Sequence, residues 1–187
     1  KYQWGLENYE PGSTSFSNSL LEKEHDYLHL NIIYENFFIS KASFQIGFYS
    51  QLMMSTRKAF SNYVASVLSA PAFSPVPESR SLFMPEFRAF NFGALGLRSV
   101  IPVRPNLDLR IEAYGFQPYQ ELKKADNGEL EFGKFFSDRY YMGSGSLIFH
   151  SPLGPVSLVF NYFDRAEDEF SFNVNFGYYI FNPSLKD

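Results

Sequence analysis

The sequence predicts an all-β protein, a transmembrane antiparallel up-and-down β-barrel of about eight strands. Three observations lead to this prediction. Several segments alternate between apolar residues and small or polar ones, which is the period of a β-strand. Aromatic residues make up 19% of the chain, with 22 Phe and 13 Tyr. The connections between the alternating segments are long and short in turn. From a length of 187 residues we expect a single domain spanning residues 1–187.

The segment Glu169–Ile180 shows the alternation most clearly. Successive side chains of a strand point to opposite faces, so one face of this segment is apolar and the other is mostly small and polar. Such a strand suits a barrel with lipid outside and water inside. We predict that this is the closing strand and that its lipid-facing residues are Phe170, Phe172, Val174, Phe176, Tyr178 and Ile180.

Seven further segments alternate in the same way, and each is about long enough for a tilted strand of roughly 9–11 residues to cross the hydrocarbon layer. Their apolar sides carry Tyr2, Trp4 and Leu6; Leu28, Leu30, Ile32 and Tyr34; Phe44, Ile46 and Phe48; Leu95, Leu97 and Ile101; Leu107, Leu109, Ile111 and Ala113; Tyr141, Gly143, Gly145, Leu147 and Phe149; and Val156, Leu158, Phe160 and Tyr162.

The connections fall into two classes along the chain. The long ones span residues 10–25, 54–89 and 118–138, and they alternate with short turns at residues 39–41, 104–106 and 151–155, before a modest one at residues 164–168. Outer-membrane barrels have short periplasmic turns and long external loops, so the alternation places all the long loops on one side. We therefore expect the bacterial outer membrane as location, with both termini in the periplasm.

The 54–89 connection carries a helical pattern from Thr56 to Ser69, which Pro71, Pro75 and Pro77 end. Two interpretations stay open for it. The helix plugs or caps the barrel, or the segment is an ordinary surface loop.

Composition excludes several other classes of protein. Cysteine is absent, which rules out disulfides and thiolate metal sites. The net charge of −4 offers no basic surface to nucleic acid. No apolar run approaches the roughly 18 residues of a membrane-spanning helix. The chain opens at Lys1 directly on an alternating segment, so we expect a C-terminal piece of a longer protein.

Catalytic and metal-binding patterns are absent from the sequence. Gly143–Ser146 resembles part of a serine-hydrolase elbow, but it lies within an alternating strand and lacks the G-x-S-x-G order. The three histidines, His25, His29 and His150, do not form a metal-binding motif. We predict no catalytic residue, no metal site, no cofactor and no enzymatic activity in this chain.

Charged residues nevertheless recur on one side of the predicted strands. Asp108, Arg110 and Glu112 share a strand face, and Glu35 and Arg98 fall on the corresponding faces of other strands. Charges inside a barrel must be paired. We predict a charge network in the lumen, either a structural cluster or a network that controls selectivity or gating.

Two blocks near the C-terminus resemble a known superfamily. The turn Ser151-Pro152-Leu153-Gly154-Pro155 and the Phe-rich strand from Phe170 to Tyr178 are similar to the closing strands of the bacterial surface antigen superfamily. The segments 70–75, 87–90 and 109–116 resemble the C-terminal barrel of outer-membrane patatin-like phospholipases. The resemblance covers about residues 28–181.

The resemblance implies a lipase domain with a Ser-Asp dyad upstream, and a barrel that serves as its membrane anchor or translocator. Barrels of the superfamily have about 16 strands, so eight would either close alone or form half of a dimeric barrel. Expected partners are outer-membrane lipids, the barrel-assembly machinery, and a second copy or another outer-membrane protein.

Two alternatives from other classes stay open. One is a soluble lipocalin-type barrel that binds a small hydrophobic ligand with its apolar face turned inward. The other is a barrel enzyme acting on lipids, which needs a Ser/His pair near the outer rim and has only His25 and His150 to supply it.

Overall fold

The computed structural model describes residues 2–8 and 24–177, with side chains from Tyr27 onward. Ten strands and one helix make up these ranges, together with two 3-10 turns at Glu78–Arg80 and Pro85–Phe87. The elements are β1 (Tyr2–Asn8), β2 (Glu24–Lys41), β3 (Phe44–Ser55), α1 (Tyr63–Ser69), β4 (Phe92–Arg104), β5 (Leu107–Pro118), β6 (Leu122–Lys124), β7 (Leu130–Phe132), β8 (Tyr140–Ser151), β9 (Gly154–Phe163) and β10 (Phe170–Phe176).

One large antiparallel sheet dominates the molecule. Seven of its strands lie between Glu24 and Phe176 in the order β2-β3-β4-β5-β8-β9-β10, and β1 extends it at the β2 edge. Each strand pairs with its neighbour in the chain, apart from the small β6–β7 hairpin, which stands outside the sheet. The predicted all-β, antiparallel, up-and-down order is thus confirmed. Within the described ranges no pairing joins β1 to β10.

The two ends of the sheet differ in their connections. The short-turn end carries the turns at residues 42–43, 105–106 and 152–153, whereas the long-loop end carries residues 56–91, 119–139 and 164–169. The predicted loop at 118–138 is not plain loop, because β6 and β7 pair within it around Gly128, which has a φ of 82°. The predicted loop at 10–25 ends earlier, since β2 begins at Glu24, and its residues 10–23 lie outside the described ranges.

The sheet has an outer and an inner face, and the predicted alternation holds along its strands. The outer face is apolar, and its exposed large side chains range from 38% exposed at Leu147 to 70% at Phe176, while others such as Phe44, Ile46 and Phe48 are half-buried. Phe170, Phe172 and Val174 are exposed on it as well, while Tyr178 and Ile180 lie outside the described residues. Buried inner-face residues are Tyr49, Gln51, Met53, Phe92, Ala94, Tyr114, Phe116, Tyr140, Met142, Ser144, Ser146, Ser157, Val159, Asn161 and Phe163.

A part of the 56–91 connection covers the inner face; we call residues 71–90 the inner loop. Its base is closed by the amide of Phe73, which donates to the Phe87 carbonyl at 2.8 Å, and by a bridge between Ala72 and Arg88. Apolar side chains of the inner loop and of the strands form one hydrophobic core. The loop residues in this core are Phe73, Val76, Met84, Phe87 and Ala89. The loop therefore occupies the side of the sheet where a lumen is expected.

Helix α1 begins seven residues later than the predicted start at Thr56. The side chain of Asn62 caps it by accepting from the Ala65 amide at 3.1 Å. The preceding residues bond elsewhere, because the Ser61 carbonyl accepts from Leu130 on β7. The helix packs on the β6–β7 hairpin through a second core of Val67, Ala70, Phe90 and Leu122. No helix in the described ranges has the length and apolar character to span a membrane.

Candidate functional site

Arg98 is the centre of a charged cluster on the inner face. It lies on β4, and its side chain is only 17% exposed. Its Nη1 lies 3.0 Å from Oε2 of Glu35 on β2, and its Nε lies 4.0 Å from Oε2 of Glu112 on β5. A buried guanidinium needs such partners, because transferring an unpaired charge from water to a protein interior is costly.

Strand register explains why Arg98 and Glu112 meet. They are direct partners in the β4–β5 ladder, so their side chains stand side by side on one face. Tyr114, two residues along β5 on the same face, completes the contact. Its hydroxyl donates to Glu112 Oε2 at 2.7 Å and accepts from Arg98 Nε at 2.6 Å.

The polar chain continues from Arg98 to the neighbouring strands. The guanidinium carbon lies 4.9 Å from the ring centroid of Tyr49 on β3, a cation–π distance. The Tyr49 hydroxyl donates to Gln51 Oε1 at 2.6 Å, and Gln51 donates to Asn31 Oδ1 at 3.0 Å. Sequence reasoning missed these tyrosines and amides. The signal for them was their position. Asn31 and Tyr114 alternate in phase with Glu35 and Glu112 on their own strands, and Tyr49 and Gln51 alternate against the apolar side of β3.

Four of the five predicted network residues lie together, and one lies apart. Arg110 Nε is 3.9 Å from Glu112 Oε1, which links it to Arg98 and Glu35. Asp108 instead pairs with His150 on β8, with 2.8 Å between Oδ2 and Nε2. Asp108 is four residues from Glu112, so the strand rise of about 3.4 Å per residue carries it beyond reach, towards the short-turn end.

The tip of the inner loop stands over this cluster. The Pro75 carbonyl accepts from Arg98 Nη2 at 3.5 Å, and Glu78 Oε1 accepts from Asn175 on β10 at 3.2 Å. Between loop and sheet lies a cavity of about 640 Å³. The sheet contributes both charged and small polar groups to its lining, namely Glu35, Arg98, Arg110, Glu112, Ser144, Ser146 and Ser157.

One Ser/His contact lies at the long-loop end, where the enzyme alternative needs one. Ser55 Oγ is 3.1 Å from His29 Nε2, so the pair involves neither His25 nor His150. Acyl transfer also needs free amides to stabilise an oxyanion. The Ser55 amide donates to Asn91 Oδ1, and the Arg57 amide donates to Ser55 Oγ. Both neighbouring amides are therefore engaged, and the contact serves to join β2 to β3.

Potential metal ligands do not converge among the described residues. Across residues 2–8 and 24–177, no three potential His, Cys, Asp or Glu ligands are grouped for a metal ion. The inner face instead offers paired charges, hydroxyls and a cavity closed on one side by the inner loop. These groups hold the inner loop in place and give the inner face a polar surface on which positive and negative charges nearly balance.

Comparison of the chain with protein-family models, curated protein sequences and solved structures finds no match. Its function is therefore inferred from the distribution of apolar and charged side chains over the two faces of the sheet.

Proposed function

We propose that this chain forms part of the wall of an outer-membrane β-barrel that anchors or translocates a domain preceding it. The observation that carries the proposal is the inverted distribution of side chains. Large apolar residues are exposed along the outer face, while the charged and hydroxyl side chains are concentrated on the covered inner face. Water penalises such an exterior, and hydrocarbon favours it.

Backbone pairing supports the same proposal. Every strand of the large sheet from β2 to β9 is hydrogen-bonded on both sides, which a lipid environment requires because it offers the backbone no water. The two-residue turns lie together at one end of the sheet, and the long connections lie at the other. In an outer-membrane barrel these ends face the periplasm and the exterior respectively.

The inner loop favours a barrel of more than eight strands. An eight-stranded barrel has an interior just wide enough for its own side chains. Here a second layer of chain packs on the inner face through Phe73, Val76 and Phe87, and a cavity of about 640 Å³ remains beside it. The outer edges of β1 and β10 also need strand partners in hydrocarbon. A second copy or chain beyond this sequence would supply these strands.

The resemblance to patatin-like phospholipase barrels suggests what the barrel carries, namely a lipase domain upstream. In that arrangement the inner loop, held by Arg98 and Asn175, would be the element that limits passage through the lumen. The charge cluster then stabilises the covered state of the inner face.

The soluble lipocalin-type alternative requires the opposite orientation of the faces. It places the aromatic residues inside and Glu112 in solvent, whereas Phe172 is exposed and Glu112 is only 10% exposed. The exposures therefore weigh against it.

The test is membrane assembly of the full chain, exported by a signal peptide in a Gram-negative host. We expect it in the outer-membrane fraction with heat-modifiable migration. Leu97→Arg, at mid-strand on the outer face, should abolish assembly, since Arg at the bilayer midplane costs about 2–4 kcal/mol. Val103→Arg, at the short-turn end of the same strand, is the matched control and should assemble. A monodisperse protein without detergent, with both variants folded, would contradict the proposal.

A further inference from the structure

The outer face is not uniformly bulky, because three glycines form a diagonal depression across it. Gly93 on β4, Gly115 on β5 and Gly143 on β8 all lie at outer-face positions. From one strand to the next, the glycine is shifted by two residues away from the long-loop end. The register shows this: Leu95 pairs with Gly115, and Ala113 pairs with Gly143. The depression therefore runs from the long-loop end towards the middle of the sheet.

Two adjoining grooves make up the depression, with volumes of about 620 Å³ and about 460 Å³. Leu95, Gly115 and Tyr141 line both, so the grooves are continuous. Each volume falls in the range of about 300–1,000 Å³ that is typical of small-molecule sites. A Cβ built on Gly93 would meet no atom within 4 Å, so the first groove has empty space directly above this glycine.

A cation lies at the long-loop end of the groove. Arg139 directly precedes β8 and is exposed, and its Nε donates to Gln117 Oε1 at 2.8 Å. Gln117 is itself oriented, because its amide nitrogen donates to the backbone carbonyls of Pro118 and Asp138 at 3.2 Å and 2.7 Å. The neighbouring Asp138 carboxylate is engaged by Arg165 and Lys123.

The guanidinium of Arg139 is thus held by one nitrogen and leaves its two terminal nitrogens for another acceptor. Within the part of the chain that the structure describes, Arg139 forms no ion pair. A guanidinium fork of this kind matches the oxygens of a phosphate group. The apolar groove matches the acyl chain of a lipid, and the cation at its end matches a negatively charged headgroup.

We propose that this groove binds one anionic phospholipid, with its phosphate at Arg139 and an acyl chain along Gly93, Gly115 and Gly143. The inference rests on the proposed function, since only a lipid-facing outer surface meets acyl chains. It goes further by naming a site and a headgroup chemistry. The charge lies at the long-loop end, so the lipid headgroup lies at that end of the strands and the acyl chain runs from it towards the middle of the sheet.

Native mass spectrometry of the full chain in detergent micelles tests the site. The probes are dipalmitoyl phosphatidylglycerol, dipalmitoylglycerol (which lacks the phosphate) and inorganic phosphate. We expect one retained phosphatidylglycerol per site, with dipalmitoylglycerol bound roughly tenfold more weakly because the charge-assisted contact is lost. Inorganic phosphate alone should not be retained.

Two variants separate the groove from the headgroup contact. Gly93→Leu fills the empty space above this glycine and should lower retention of phosphatidylglycerol by roughly tenfold. Its matched control is Gly145→Leu, on the same outer face but outside the groove lining, where an added Cβ also meets nothing within 4 Å. Arg139→Gln should remove the preference for phosphatidylglycerol over dipalmitoylglycerol.

Equal retention by the Gly93→Leu and Gly145→Leu variants would overturn the site, as would an Arg139→Gln variant that keeps the preference. Either result in a chain that assembles in the membrane refutes the lipid site alone. A chain that stays dispersed without detergent refutes the proposed function as well, so the two failures are distinguishable.

Discussion

The ring of Tyr114 lies across Gly96, its direct partner in the β4–β5 ladder. A Cβ at position 96 would overlap the ring, so glycine is needed for the tyrosine to lie flat on the inner face. This position brings the Tyr114 hydroxyl between Arg98 and Glu112, where it bonds to both. The glycine at position 96 on β4 thereby allows Tyr114 on β5 to place its hydroxyl within the charge cluster.

Gly96→Ala should therefore destabilise the protein by about 1–3 kcal/mol, the usual cost of forcing a packed side chain out of place. The ring must turn away and give up its hydrogen bonds to Arg98 and Glu112. The urea midpoint of the full chain in detergent measures the effect. Gly93→Ala is the control, since the added methyl group there meets open space. Equal midpoints for the two variants would contradict the role of Gly96.

Arg98→Gln should destabilise the protein by about 1–3 kcal/mol, because the nearly buried Glu112 then keeps only its 3.9 Å contact with Arg110. Combining it with Glu112→Gln should recover part of the loss, since the carboxylate that lost its more buried cation is then gone. Arg110→Gln is the control: that side chain is 46% exposed, and its loss should cost less than about 1 kcal/mol. Denaturant unfolding of wild type, Arg98→Gln, Glu112→Gln and the double variant gives the cycle. Strictly additive losses would show that the two charges do not interact.

Strand order and the two faces were predictable because they depend on local periodicity. Arg98 and Glu112 were identified by the same rule, since a two-residue turn joins their strands and fixes the register. The partner of Asp108 was not predictable. His150 reaches it through the β5–β8 register, and the chain between those strands is the long 119–139 connection.

The inner loop was beyond local reasoning for a related reason. The Thr56–Ser69 pattern predicts a helix from its first residue, but Ser61 bonds to Leu130 and Asn62 caps the helix instead. Contacts distant in sequence decide both the start of α1 and the fold of residues 71–90. The interpretation of the helix as the plug differs from the structure, because α1 packs on the β6–β7 hairpin and the segment that covers the sheet is residues 71–90, through Phe73 and Phe87.

The partly buried carboxyl of Glu86, in the inner loop, should make the stability of the protein depend on pH. Burial raises the pKa of its carboxyl, and the negative charges of Glu121 and Glu167 act in the same direction. One carboxyl oxygen is buried without a hydrogen-bond partner in the described ranges. Because the folded state binds the proton more tightly, the contribution of Glu86 to stability is complete below about pH 4.5, its unfolded pKa, and is lost as the pH rises through the folded pKa.

Glu86→Gln should therefore stabilise the protein at neutral pH and leave it unchanged in acid, relative to wild type. Unfolding midpoints of both proteins across this pH range measure the difference. Glu131→Gln, in the exposed β7 strand, is the control and should show no such pH-dependent gain. A gain of Glu86→Gln that is greater in acid than at neutral pH would reverse the sign and refute the argument.

Phe73 is the residue that we expect to anchor the inner loop on the sheet. Its side chain is 1% exposed, and its ring stacks on Phe116 at a centroid distance of 5.4 Å. Phe73→Ala should cost about 3–5 kcal/mol and release the loop rather than the sheet, because the strands keep their ladders. Phe83→Ala, in the same loop but with 57% of the side chain exposed, is the matched control.

Trypsin cleavage after Arg80 reports this release. Arg80 ends a 3-10 turn at the tip of the inner loop, and a protease needs an extended segment, so cleavage follows the fraction of time that the tip is unfolded. We expect faster cleavage in Phe73→Ala than in wild type, with Phe83→Ala unchanged and heat-modifiable migration kept in all three. If cleavage is equally slow in Phe73→Ala, the polar contacts of Arg98 with Pro75 and of Asn175 with Glu78 hold the tip without the aromatic anchor.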